Sequence, residues 1–146
     1  MPFKPHPNGG GLVEDTAHVA DTAYVGPHAV VKGKARVLDN ARITQFAQVF
    51  GSAEVSENAL VFGHAKVFDL CRVHGNARVS DFAQAFECSV LSGDSWVHGQ
   101  ARVFGDAHLT GSIELVGDPS ISHGIHSHQS VICFEKNEPA VIVRKS

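Results

Sequence analysis

The chain has 146 residues, 43% of them hydrophobic and 18% charged, with a formal net charge of −3. That composition fits one globular domain and excludes a disordered or collagen-like chain. No stretch of eighteen apolar residues offers a membrane span, and no basic run tracks a phosphate backbone, so neither membrane nor nucleic acid is an expected partner. The start, MPFKPHPNGG, lacks the apolar segment of a secretory signal, and the three cysteines Cys71, Cys88 and Cys133 show no CxxC spacing. The expectation is a cytoplasmic protein with reduced thiols. Val and Ala dominate the apolar fraction, which disfavours a helical bundle.

In chain order, residues 1–12 are rich in Pro and Gly and read as a capping segment laid over the first repeat, shielding a strand edge. From Val13 the sequence repeats in sixes. The first position runs Val13, Val19, Val25, Val31 and onward to Leu115 and Ile121, and all nineteen residues in it are apolar. Chance would give such a run on the order of once in ten million. The fifth position is Ala in thirteen hexads, Cys71, Ser89 or Ser95 in three, and Ile113, Pro119 or Ile125 in the last three. A step of six rotates an α-helix by about 120°, so no helical face is kept. In an extended chain positions one and five fall on the same side. The third position is mostly Gly, Asp or Glu, often followed by Asn, Asp or Ser, as in Gly75-Asn76 and Asp39-Asn40, which is turn chemistry. Each hexad is then one short strand and one corner, stable only when copies stack.

The segments VFGHAK, VHGNAR, VHGQAR and VFGDAH resemble the hexapeptide repeat of left-handed parallel β-helices. The resemblance implies three hexads per triangular coil, about six coils over residues 13–126, left-handed winding and a homotrimer with parallel axes. With rungs about 4.8 Å apart, the prism should be about 29 Å long. The period fails after Ile121. SVICF and AVIVR, within residues 127–146, read as a C-terminal β-hairpin cap, so the expected fold class is all-β.

Sorting outward residues by an eighteen-residue coil gives three faces. One carries Phe50, Phe68, Phe86 and Phe104, which should form a ladder exposing roughly 400 Å² of apolar surface if unpartnered. These four residues are the leading interface candidates, since closed symmetric assembly is the default for soluble oligomers. A second face is mixed and adds Trp96 and His98 as binding candidates; the third, with Arg36, Glu54 and Arg72, reads as a solvated wall.

The resemblance extends to acyltransferases, which use an inter-subunit His as general base. His64, His74, His98 and His108 are available, but none carries a motif that selects it, and no loop interrupts the hexads to enclose an acyl donor. His28 and His64 share a corner column, as in the zinc site of γ-class carbonic anhydrases. No His follows either at the short spacing that such a site needs, and Phe46 and Phe82 alternate with them, which indicates aromatic packing. The densest cluster is His123, His126 and His128, where the repeat ends. His126 and His128 point the same way in an extended chain, making this a candidate divalent-metal site beside the plain reading of a polar turn. No other cofactor is expected. Together these features lead to a non-catalytic scaffold or binding protein, with a ligand or protein partner on an outer face or in a groove between subunits. A hexapeptide acyltransferase and a nucleotide-sequestering protein are the alternatives.

Overall fold

The computed structural model describes residues 3–111, 113–117, 120–121, 125–126, 130–134 and 141–144, with side chains as far as Leu115. The described chain is a β-solenoid of about six coils, built from two-residue strands and corners with no helix among these residues. Three sheets form its walls. The first begins with β1 (Phe3–Pro5) and β2 (Leu12–Glu14) and continues through Val30–Val31, Gln48–Val49, Lys66–Val67, Gln84–Ala85, Arg102–Val103 and Ser120–Ile121. The second begins with β3 (His18–Val19) and the third with β4 (Tyr24–Val25). Within each, a residue pairs in parallel with the residue eighteen positions on, as in Leu60 with Arg78 and Val61 with Val79.

That register keeps every column of the repeat on one line. The inward Val, Ile and Leu of position one and the Ala of position five are fully buried from Ala23 to Leu109. Small residues suit position five because the chain turns there. The position-five amide donates to the position-two carbonyl of its own hexad, as in Ala41 to Leu38 at 3.2 Å and Ala83 to Ser80 at 3.1 Å.

The third position carries the bend, as its composition predicts. From Gly33 to Gly111 every third-position residue has positive φ: Gly at eight of them, and Asp39, Gln45, Glu57, Asp69, Asp81 and Glu87 at the other six. An L-residue in this region ordinarily costs about 1–2 kcal/mol. A common compensation accompanies all six. The side-chain oxygen of each accepts the backbone N–H of the third-position residue one coil later: Asp39 from Glu57, Gln45 from Gly63, Glu57 from Gly75, Asp69 from Glu87, Asp81 from Gly99 and Glu87 from Gly105, at 2.8–3.3 Å. Gly33 needs no such side chain. Its φ is +68°, and a Cβ there would lie 2.9 Å from the Gly51 carbonyl oxygen.

The ends depart from the repeat. β1 pairs antiparallel with β2, and residues 6–11 bond to the first strand of the third sheet. Past Ile121 the register slips by one, so that His108 pairs with Ile125 and Ile113 with Ser130, seventeen positions on. Ser130–Phe134 then pairs antiparallel with Val141–Arg144. No helix among the described residues is long and apolar enough to cross a membrane.

Candidate functional site

Outward side chains on the first sheet come from positions six and two of the hexad, and its two long edges from the corners on either side. Position two supplies the Phe ladder. Phe50, Phe68, Phe86 and Phe104 stack at centroid distances of 4.8, 4.9 and 5.1 Å, within 7° of parallel. The spacing follows from the rung spacing of the sheet, which leaves each ring lying over the next. Lys32 closes one end with its Nζ 5.0 Å from the Phe50 centroid. The ladder is half-buried, because each ring covers its neighbour. The four rings form the ladder that their eighteen-residue spacing predicts.

The most exposed rings lie two columns away. His28, Phe46, His64 and Phe82 occupy position four of the preceding corner and form a second stack, with centroids 5.2, 5.1 and 5.0 Å apart. Phe46 is 53% exposed and Phe82 60%. Leu70, 60% exposed, stands on the corner at the opposite edge, beside a hollow lined by Ser52, Asp69, Glu87 and Cys88. Leu12, 44% exposed, heads the same sheet. Among the described residues, these four are the large apolar side chains that remain exposed, and all belong to the first sheet or its bounding corners. Between the two stacks run Gln48, Lys66, Gln84 and Arg102. The second sheet, by contrast, presents charge to solvent, with Arg36 and Glu54 paired at 3.7 Å.

Trp96 and His98 do come together, on the third sheet. Their rings stack with centroids 4.0 Å apart, and the Arg78 guanidinium lies 4.5 Å from the Trp96 ring centroid. The indole N–H donates to Ser80 Oγ at 2.9 Å. His98 Nε2 is 2.8 Å from Glu114 Oε1, and Nδ1 is 3.6 Å from Asp81 Oδ2, the carboxylate that also accepts the Gly99 amide. With its side chain only 13% exposed, both ring nitrogens of His98 face carboxylates. A general base needs one nitrogen within hydrogen-bond reach of its substrate. Here Nε2 is taken by Glu114, and Nδ1 faces Asp81 beyond hydrogen-bond distance.

Among the other candidates, His64 is stacked between two Phe rings, and His74 Nδ1 is 3.9 Å from Glu57. Cys71 occupies the buried Ala column, where burial pushes its thiol from about 9 to about 12; Asp69 adds to the rise, and the Ser89 hydroxyl 3.2 Å away opposes it. Among the described residues no group of three or more His, Cys, Asp or Glu is placed to hold a metal ion. His123 and His128 lie outside the described residues, and His126 is described in its backbone alone. Comparison of the chain with protein-family models, with curated proteins and with solved structures finds no match.

Proposed function

We propose that this chain is a non-catalytic oligomeric β-helix scaffold or binding protein. Copies associate through the first-sheet face, and a ligand or protein partner occupies an outer face or a groove between subunits. The observation that carries this reading is the gathering of Phe46, Leu70, Phe82 and Leu12 on one face and its edges, alongside a half-buried Phe ladder. Exposed apolar residues scattered singly need no explanation, whereas their concentration on one of three walls, beside a stacked Phe ladder, supports reading that wall as an interaction surface. A second copy is the occupant that best matches it. It brings a strip with the same length and the same rung spacing, and closed symmetric association would cover both. Winding of the left-handed hexapeptide class and a trimer with parallel axes complete the proposal, as the repeat resemblance implies.

The test is the solution mass of the wild type against a Phe46→Ser, Phe82→Ser double variant. Both rings are exposed, so neither replacement opens the core. The expected result is a trimer that falls to monomer with an unchanged circular dichroism spectrum; an unchanged mass refutes assembly through this face. A thermal-shift series with acetyl-coenzyme A, nucleotides and divalent metals tests the non-catalytic part. Stabilisation by acetyl-coenzyme A alone would favour acyl transfer, and by nucleotides alone a sequestering role.

A further inference from the structure

At the N-terminal end of the prism one strand edge per sheet comes to the surface, and residues 3–11 close two of the three. On the first sheet β1 pairs with β2. On the third, three backbone groups of the first coil find partners. The Ala23 carbonyl accepts from His6 Nε2 at 2.9 Å and Asn8 Nδ2 at 3.1 Å, the Val25 N–H donates to the Asn8 carbonyl at 3.1 Å, and the Val25 carbonyl accepts the Gly11 N–H at 2.9 Å. The equivalent groups on the second sheet are the Ala17 carbonyl and the N–H and carbonyl of Val19. One coil further on, the Ala35 and Val37 carbonyls accept the amides of His18 and Ala20, so the same groups of β3 face the open end. β3 is the last strand of its sheet, and no described residue bonds to these three groups.

Beside this edge is a hollow of about 440 Å³. Val13, Ala17 and Val19, partly buried ends of the inward columns, line it from the core, and Lys4 to Pro7 line it from the N-terminal segment. The nearby charges already have partners: Lys4 Nζ lies 3.9 Å from Asp15, and Glu14 accepts the Gly33 N–H at 2.6 Å.

We propose that the β3 edge is a peptide-docking site, taking an extended, uncharged segment of a partner protein. The segment donates two backbone N–H groups to the Ala17 and Val19 carbonyls, accepts the Val19 N–H, and sets one valine-sized side chain in the hollow. Unpaired strand edges add strands by main-chain hydrogen bonding, with pockets for alternate side chains supplying selectivity. The chemistry matches: an acceptor, a donor and an acceptor in strand spacing recognise a polypeptide backbone. The space selects between occupants. Residues 3–11 take the level that a preceding coil would have over the other two sheets, so they stand between β3 and the flat end of a second prism, while a single strand fits beside them.

The probe is acetyl-Ala-Gln-Val-Ser-amide, which imitates positions five, six, one and two of the repeat, read by hydrogen exchange and the amide resonance of Val19 in the full chain. In the protein alone, the Val19 amide should exchange quickly while that of Val25 is protected. For a Kd of about 1 mM, peptide at about 10 mM should slow Val19 exchange roughly tenfold and shift its resonance. The same peptide N-methylated at Gln and Ser, the two donating positions, should do neither. Protection of Val19 before any peptide is added, an unmoved resonance, or an equal response to the methylated peptide overturns the proposal. Protection that rises with protein concentration alone also overturns it, in favour of end-to-end pairing of copies.

Discussion

Replacing Gln45 separates two effects that its position combines. Its φ of 58° places it in the left-handed region, and its Oε1 accepts the Gly63 N–H at 2.8 Å, the shortest of the six corner bonds. Gln45→Ala keeps the strained backbone and removes the bond, a net loss of about 1 kcal/mol for a neutral hydrogen bond. Gln45→Gly removes the bond as well but also relieves about 1–2 kcal/mol of left-handed strain, against about 0.5–1 kcal/mol of added chain entropy in the unfolded state. Its net change should be close to zero, so the two variants differ by about 1 kcal/mol in favour of Gly. With a urea slope of about 2 kcal/mol/M, Gln45→Ala should lower the midpoint by about 0.5 M and Gln45→Gly should leave it near wild type. Trp96 fluorescence can follow the transition, at fixed protein concentration so that any assembly contributes equally. An Ala variant as stable as wild type would refute the role of the side-chain bond. A Gly variant less stable than the Ala variant would refute the strain.

Within the Phe ladder, Phe68 has a stacked ring on each side, whereas Phe104 has one described stacking partner, Phe86. With each stacked pair contributing about 0.5–1.5 kcal/mol, Phe68→Ala should be more destabilising than Phe104→Ala by about 1 kcal/mol in the same urea assay; equal losses would show that the rings do not support one another. Cys71 and Cys88 should differ in alkylation at pH 8, the exposed Cys88 reacting in the folded protein and the buried Cys71 only after unfolding. Because the folded thiol of Cys71 is raised to about 12, its contribution is intact below about pH 9 and is lost as pH rises toward 12, where the unfolded chain ionises first. Cys71→Ala should therefore flatten the alkaline fall in stability measured by denaturant midpoints, and an unaltered slope would contradict that burial.

The solenoid was legible in the sequence because its interior is assembled from columns. Val in position one and Ala in position five need only the register of eighteen to become a continuous core, and that register is periodicity alone. Which aromatic rings stay open was less legible. Phe68 and Phe82 both point outward in a column map, yet position two lies along the flank of a sheet, where stacked rings cover one another, and position four stands at the corner tip. Trp96 and His98 could be placed in neighbouring columns, but the contacts of His98 with Glu114 and Asp81 depend on rotamers that no spacing encodes. The corner bonds left a signal that turn chemistry hides. Asn, the usual non-Gly occupant of the left-handed region, recurs at position four as Asn40, Asn58 and Asn76 but never at position three. There the non-Gly residues with positive φ are Asp, Glu and Gln, each supplying an oxygen acceptor to the next coil.

The offset of eighteen, kept through the repeat as far as Ile121, makes the length of this molecule a quantised variable. Losing or gaining a whole coil leaves every remaining side chain on its own wall, so the strip that ends at Phe82 can be shortened or lengthened without changing its width. Losing a single hexad advances everything downstream by a third of a turn, splitting the strip between two edges of the prism. Length and surface chemistry can therefore vary independently only in steps of three hexads.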